Sequence, residues 1–287
     1  MIIVIIVSVS CARQAQQEGI LIAVSIPPQS WFVSQIAGDN TRTMILAGSG
    51  QNPHNYEPTP RQIKALSGAS AWILSGAEFE ISLFPKVISL FPDLLIIDGT
   101  EGVKFRFMED HDHDGNTRLS IEIDRHTWLG REPAKILAGH IKDTLSLLDS
   151  SNESYYQERY ENLIIEIDNE FDNLSVMLAP LNGKSVFVYH PSFGYFLDEF
   201  GIYQEAVETG GKEPGPRVLN DLIIKIKEEQ ALGQWSGVIF VQTQFPVYAA
   251  RNLAAAVDAE LISLDPLAEN WLENIRLMGS ALMKAAP

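Results

Sequence analysis

The chain has 287 residues, of which 46% are hydrophobic and 20% are charged, and this composition excludes collagen-like, disordered and low-complexity proteins. Its 21 Lys and Arg against 37 Asp and Glu give a net charge of −16, without any cluster of basic residues. Because an acidic surface repels phosphate backbones, the sequence predicts no nucleic-acid partner. The length allows one large domain or two of ordinary size.

The N-terminus has the features of an export signal. Residues 1–9 form an apolar run that is shorter than the roughly 20 residues needed to span a membrane. Ser10 precedes Cys11, the only cysteine, as at a bacterial lipoprotein processing site. We therefore predict that residues 1–19 are a signal and tether, in which Cys11 is acylated and anchors the protein to a membrane. The alternative is a buried first strand with an inert cysteine.

Two groups of short β-branched segments follow, and they predict two sheets. The first group comprises residues 21–25, 43–46, 71–74, 94–97 and 119–123, and the second comprises 185–189, 204–208, 237–241 and 260–264. Amphipathic stretches alternate with these segments. The alternation is typical of an α/β fold with mainly parallel sheets flanked by helices.

The longest helical pattern lies between the two groups. Apolar residues recur at three- and four-residue spacing from Tyr155 to Leu178. A helix of about 26 residues would be about 39 Å long, which is enough to join two lobes. The sequence therefore predicts an N-terminal α/β lobe at 20–150, a connecting helix within 151–180 and a C-terminal α/β lobe at 181–287.

Three histidines and one aspartate each come after a candidate strand. They are His54, His126, His190 and Asp265. Ligands of open α/β sheets bind beyond the carboxyl ends of the strands, where these side chains would meet. Three imidazoles and one carboxylate make a tetrahedral set for a divalent cation. Their wide separation in sequence carries no local metal-binding signature, so buried histidines of the core stay an alternative at this point.

Local strings carry a more specific signal. They are NPHNYEPTP at 52–60, DRHTWL at 124–129, VYHPSFGYF at 188–196 and ISLDPLA at 262–268, together with ETGGKEPGPRVL at 208–219 and QTQF at 242–245. In this order the strings resemble the zinc- and manganese-binding solute-binding proteins of bacterial ABC importers. The resemblance covers essentially the whole chain after the signal.

The resemblance implies two α/β lobes joined by one long helix, with a divalent metal bound between them. Its ligands would be His54, His126, His190 and Asp265. It also implies an extracytoplasmic monomer whose partner is an ABC transporter permease. Asp265, on a loop, is our candidate for the ligand that withdraws when the metal is released.

Two positions bear on which metal is bound. Members of the family that favour manganese often carry a carboxylate where this chain has His190, so the sequence favours Zn²⁺, with manganese or iron as alternatives. Arg125 stands where the family commonly has proline. A cation beside the site opposes metal binding unless it is paired, for example with Asp124.

Ligating imidazoles normally donate their second nitrogen to an acceptor, and the candidates are Glu57, Asp124 and Glu208. The run EDHDHDG at 109–115 places His111 and His113 among four carboxylates. This run is either an auxiliary metal-binding loop or a solvated acidic loop.

Other residues have simpler interpretations. His140 falls at the boundary of a helical apolar pattern. Five aromatic residues are predicted to pack in the core rather than to form the walls of the cleft: Trp31, Trp128, Phe193, Tyr195 and Trp271.

The predicted function is the capture of Zn²⁺ in an interdomain cleft and its delivery to an ABC importer, without enzymatic activity. A zinc hydrolase is the alternative of a different class, but it would need an open coordination position and a general base. With Asp265 bound the metal has no open position, and the chain contains no His-Glu-x-x-His motif. A surface protein of the adhesin type is a third interpretation, since metal receptors of this family were sometimes first described as adhesins.

Overall fold

The computed structural model describes residues 19–111, 117–208, 215–233, 237–245 and 248–286. Within these residues it contains two parallel four-stranded sheets and one antiparallel hairpin. Helices flank both sheets, so the predicted α/β fold is confirmed. Cys11, His113 and the side chain of His111 lie outside the described part, and the predictions made for them stay predictions.

The first sheet has the strand order β2-β1-β3-β4. Its strands are β1 (Ile20–Val24), β2 (Thr41–Ile45), β3 (Ala71–Leu74) and β4 (Leu95–Asp98), and its crossover helices are α1 (Pro27–Ala37), α2 (Pro60–Ala65) and α3 (Glu78–Leu90). Thr59 caps α2, because its hydroxyl accepts a hydrogen bond from the backbone of Gln62. Parallel strands require such crossovers, and these bring the carboxyl ends of the strands to one edge.

The predicted strand at 119–123 belongs to neither parallel sheet. It is part of β6 (Thr117–Ile123), which pairs antiparallel with β5 (Phe107–His111). Strand β5 has no sequence signal, because three of its five residues, FMEDH, are charged or polar and none has a β-branched side chain. The hairpin returns the chain to the carboxyl edge of the first sheet, and α4 (Arg131–Leu148) follows it.

The predicted connecting helix is α5 (Glu153–Met177), with 25 residues. Its buried apolar side chains lie on one face of the helix, at spacings of three, four and seven residues: Tyr156, Leu163, Ile167, Phe171 and Leu174. They lie in one hydrophobic cluster that contains residues of both sheets. The helix therefore packs as part of a shared core, which is the role expected of a rigid connection rather than of a flexible linker.

The second sheet has the strand order β10-β9-β7-β8. Its strands are β7 (Ser185–Val188), β8 (Tyr203–Ala206), β9 (Val238–Gln242) and β10 (Glu260–Leu264), and its helices are α6 (Gly194–Asp198), α7 (Pro216–Ala231), α8 (Tyr248–Val257) and α9 (Trp271–Leu282). A Cβ at Gly279 of α9 would lie 2.3 Å from a methyl group of Leu174. The glycine thus allows α9 to pack closely on α5.

Aromatic side chains join the two lobes at their seam. The Trp271 ring lies 4.9 Å from Phe32 of the first lobe, and its indole nitrogen donates to the carbonyl of Trp128 at 2.6 Å. Trp128 in turn donates to the carbonyl of Pro266 at 2.7 Å. Four of the five predicted core aromatics are buried, and Trp31 is partly buried against them. No helix in the described ranges is both long and apolar enough to cross a membrane.

Candidate metal centre

Three histidines from different parts of the chain converge at the seam between the lobes. His54 lies in the loop between β2 and α2, His126 follows β6, and His190 follows β7. One ring nitrogen of each lies within 4.8 Å of the others, and the Nε2 atoms of His54 and His190 are 2.9 Å apart. His126 and His190 are buried, and His54 is half-buried. The structure thus brings together three of the four predicted ligands.

A carboxylate lies behind the imidazole of His54. The Oε2 atom of Glu78, the first residue of α3, is 3.1 Å from Nδ1 of His54. Glu57, which the sequence analysis had considered for this position, is exposed. The sequence analysis missed Glu78, although it follows strand β3 in the same way that the ligands follow theirs. That position after a strand was the available signal.

Carboxylates also lie behind the other two histidines, as predicted. Asp124 is fully buried, and its Oδ1 atom is 2.8 Å from Nδ1 of His126 and accepts the backbone N–H of His126 at 3.0 Å. Glu208 is buried with its Oε2 atom 3.4 Å from Nδ1 of His190, a contact that lacks hydrogen-bond geometry. A carboxylate on Nδ1 holds the proton there and leaves the Nε2 lone pair for a metal.

The ring of His190 is held by two residues of the QTQF string. The carboxamide of Gln242 accepts the backbone N–H of His190 at 3.1 Å and donates to its carbonyl. Phe245 stacks on the imidazole, with ring centroids 4.4 Å apart and an interplanar angle of 24°. These contacts restrict both the backbone and the ring of His190, so its nitrogen is preorganised for a ligand.

Asp265 accepts hydrogen bonds from three different segments of the second lobe in this structure. Its carboxylate accepts hydrogen bonds from Gln244 and from the backbone of Leu267, and its carbonyl accepts one from Asn274 at 2.7 Å. Among the described residues, the group of side chains close enough to share a metal contains the three histidines without Asp265. The pocket at the histidines is lined on this side by its neighbours Pro266 and Leu267.

Arg125 is paired, although not with Asp124. Its guanidinium donates to the carbonyl of Gly76 at 2.9 Å and lies 3.9 Å from Glu78. Asp124 is instead paired with Arg106 at 2.8 Å. The positive charge beside the site is therefore balanced by a carboxylate, as metal binding requires.

The remaining predicted positions have mixed outcomes. His140 lies in the middle of α4, is partly buried, and its Nε2 atom contacts the carbonyl of Glu101 at 2.9 Å, which agrees with its interpretation as a residue at the boundary of a helical apolar face. Trp128 is buried in the core, but it also lines the pocket, with its ring 5.4 Å from that of His126. Trp128 is therefore both a core residue and part of the cleft wall.

The chain matches the family model of the zinc-uptake complex component A, periplasmic (ZnuA), over residues 22–285. It belongs to this family. The resemblance recognised in the sequence strings is thereby confirmed. The family is described as a component of a zinc-uptake complex, and this description gives no support to the hydrolase alternative.

Individual relatives agree with the family assignment. The zinc-binding lipoprotein AdcA of Streptococcus pneumoniae is 26% identical over 236 residues, which are 77% of this chain and 46% of AdcA. This chain thus spans about half of AdcA. The high-affinity zinc uptake system protein ZnuA of Yersinia pestis is 26% identical over 267 residues, 86% of this chain and 82% of the relative. A crystal structure of ZnuA superposes with a TM-score of 0.84 at 30% identity, covering 94% of this chain and 100% of that chain.

The imidazoles of this family member differ in their affinity for protons. Burial lowers the pKa of His190 to about 4, against the opposing charge of Glu208. Burial also acts to lower the pKa of His54, but its hydrogen bond to Glu78 and the charge of Glu78 outweigh this and raise the pKa above its ordinary value. Because the two Nε2 atoms are 2.9 Å apart, one of them carries a hydrogen. The raised pKa of His54 and the lowered pKa of His190 favour His54 as the donor of this hydrogen.

A metal ion must displace this hydrogen. Zn–N bonds of 2.0–2.1 Å in a tetrahedral shell place neighbouring nitrogens about 3.3 Å apart. The two Nε2 atoms, now 2.9 Å apart, need to separate by only a few tenths of an ångström once the proton has left. The histidine cluster is therefore close to the geometry that a tetrahedral cation requires.

The Glu78→Gln variant tests the carboxylate that the sequence analysis missed. A glutamine oxygen still accepts the Nδ1 hydrogen of His54, but the negative charge that raises the pKa of His54 is gone. We expect the zinc affinity at pH 8 to fall about tenfold, the size typical of losing such a partner. We also expect the decline of affinity with falling pH to begin at a lower pH, as measured by competition with a chelating indicator.

Glu57→Gln is the matched control, since it makes the same change at an exposed position three residues from His54. It should leave both the affinity and the pH profile as in the wild type. A pH profile of Glu78→Gln that coincides with that of the wild type would show that Glu78 does not act on His54.

Proposed function

We propose that the protein captures Zn²⁺ outside the cytoplasm and delivers it to the permease of an ABC importer. The observation that carries this proposal is the convergence of three histidine nitrogens, drawn from both lobes, within 4.8 Å of one another. The periplasmic zinc-uptake family and the zinc-binding names of two relatives support the cargo and the location. The ion is the transported substrate, and no chemical step acts on it.

The donor set favours zinc over manganese. Neutral imidazole nitrogens suit a borderline cation, whereas Mn²⁺ prefers carboxylate, carbonyl and water oxygens. The three carboxylates nearest the histidines, Glu78, Asp124 and Glu208, contact the Nδ1 atoms and so act on the imidazoles. This leaves an inner shell dominated by nitrogen.

Asp265 is the proposed fourth ligand and the one that withdraws on release. Its carboxylate is half-buried on the turn after β10, where it now accepts hydrogen bonds from Gln244 and Leu267. Exchanging the hydrogen bond with Gln244 for a bond to the ion would complete a tetrahedral shell. A carboxylate on a loop can move with less repacking than an imidazole that follows a buried strand. Docking on the permease shifts the equilibrium only if it favours the form in which this bond is broken.

The proposed location also includes a membrane anchor. Residues 1–19 would serve as signal and tether, with the acylated thiol of Cys11 as the new N-terminus, and the protein would act as a monomer. The mass of protein extracted from membranes tests the acylation of Cys11, because acylation adds the mass of fatty acyl chains to that of the chain from Cys11 onward. The mass of an unmodified chain would contradict the anchor.

Metal analysis of the purified protein tests the function. We expect one Zn²⁺ per chain, and we expect Mn²⁺ to fail to displace it in a competition titration. X-ray absorption of the zinc-loaded protein should show three nitrogen donors and one oxygen donor. The Asp265→Asn variant should lose the carboxylate oxygen from this spectrum.

The Asp258→Asn variant is the matched control, since Asp258 is an exposed aspartate in the turn before β10. Its zinc spectrum should equal that of the wild type. Stronger binding of Mn²⁺ than of Zn²⁺ would overturn the choice of cargo. A chain that binds neither ion would overturn the proposed function.

A further inference from the structure

Arg106 lies between the two lobes and contacts both of them. Its Nη1 atom donates to Oδ2 of Asp124 at 2.8 Å, and its Nε atom donates to Oδ2 of Asp198 at 2.9 Å. Its backbone N–H donates to the hydroxyl of Tyr195 at 3.0 Å. Asp124 follows the hairpin of the first lobe, whereas Tyr195 and Asp198 belong to α6 of the second. One side chain thus joins the two lobes.

The guanidinium lies directly on the backbone of α6. A Cβ at Gly194 would be 1.8 Å from Nη1 of Arg106 and 2.8 Å from Oδ2 of Asp124. Only glycine permits this approach. Gly194 comes four residues after His190, so Arg106 contacts the helix that follows the loop carrying this proposed metal ligand.

Asp124, which pairs with Arg106, also holds His126. Asp124 uses one oxygen for Arg106 and the other for the ring and backbone nitrogens of His126. Its side chain is fully buried, and that of Arg106 is 14% exposed. A buried carboxylate between two donors is fixed in orientation by both, and removal of the cation would leave a buried charge without its ionic partner.

We infer that Arg106 is a positioning residue that makes the orientation of His126 depend on the docking of α6. This inference rests on the proposed function and deepens it. When the second lobe is in place, α6 holds Arg106, Arg106 holds Asp124, and Asp124 directs the Nε2 atom of His126 to the ion. When the permease draws α6 away, the same chain of contacts loosens and the affinity for the ion falls.

A second arginine provides the comparison. Arg131 also bridges elements of both lobes, with Asp168 and Asp172 of α5 at 2.7 and 2.9 Å and with Glu199 after α6 at 3.8 Å. None of these carboxylates contacts a proposed ligand. Arg131→Gln therefore removes the same charge and a similar set of ion pairs without touching the histidine cluster.

The test is a double-mutant cycle on zinc affinity. We expect Arg106→Gln to weaken Zn²⁺ binding about 10- to 100-fold, the range for partners that orient a ligand. In a His126→Ala background the same change should have no further effect, because its target is gone. In a His190→Ala background the loss should persist. Arg131→Gln should leave the affinity within about twofold of the wild type, because none of its carboxylate partners contacts a proposed ligand.

The Asp198→Asn variant tests the contact between Arg106 and α6. The side chain of Asp198 is 54% exposed, so its replacement is compatible with folding. It should weaken binding about two- to fivefold in the wild type and not in the His126→Ala background. Two outcomes would overturn the inference while leaving the proposed function in place. One is an equal loss of zinc affinity when Arg106 is changed in either histidine background. The other is an equal loss of zinc affinity in Arg106→Gln and Arg131→Gln. A wild-type chain that binds no zinc would overturn both.

Discussion

Replacing His190 with alanine is expected to lower the affinity for Zn²⁺ by more than about 100-fold. Partners that only orient a ligand are worth about 10- to 100-fold, and a direct ligand must exceed them. His190 is buried, and its pKa of about 4 keeps it neutral at physiological pH without competition from a proton. Isothermal titration calorimetry, with a chelator as competitor for tight binding, measures the change.

The control for this variant is His140→Ala. His140 is the histidine of α4 whose ring contacts a backbone carbonyl, away from the cluster. It should bind one zinc ion with the affinity of the wild type. Thermal unfolding of both metal-free variants shows whether the loss of a buried ring has altered the fold. If a folded His190→Ala variant keeps the stoichiometry and affinity of the wild type, His190 is not a ligand.

Zinc affinity is expected to fall about 100-fold between pH 6.5 and pH 4.5. The Glu78 carboxylate raises the pKa of His54 above its ordinary value of 6.5, so in the absence of metal the protonated form of His54 predominates below pH 6.5. Binding requires the neutral ring, and each ion therefore releases a proton from His54. The affinity then falls tenfold for each unit that the pH drops below the pKa of His54, and it is constant with respect to this group above that pKa.

His190 affects the pH profile in the same direction as His54, but only at lower pH. Its pKa is about 4, so it binds no proton until the pH falls close to that value, where the profile should become steeper. Calorimetry in two buffers of different ionisation enthalpy counts the protons released at pH 6. If zinc binding releases no proton at this pH and the affinity is independent of pH between 4.5 and 6.5, His54 and His190 do not share a proton in the metal-free protein.

The convergence of the three histidines could be predicted because their positions follow from topology. Parallel strands place their carboxyl ends at one edge, and His54 and His190 follow strands of two such sheets. His126 was predicted for the same reason, although its strand belongs to an antiparallel hairpin. His126 lies near the other two histidines because the hairpin returns the chain to the same edge.

The supporting residues were harder to predict, because their contacts depend on the path of irregular segments. Glu78 meets His54 through the loop that joins β3 to α3, and Glu57, nearer in sequence, is exposed. Arg106 lies in a loop and has no motif, and its role follows from the close approach of Gly194. The hydrogen bond between Gln244 and Asp265 likewise has no signature in a single sequence.

The order of residues determined the alternation of strands and helices, the long helix and the three histidines at the strand ends, since these follow from hydrophobic periodicity and motif strings. Tertiary structure alone decided which nitrogen of each ring faces the others, because that depends on the carboxylate behind Nδ1. It also decided that His54 and His190, chemically identical side chains, have pKa values shifted in opposite directions. His190 is enclosed and its nearest carboxylate lacks hydrogen-bond geometry, whereas His54 is half-open and bonded to Glu78.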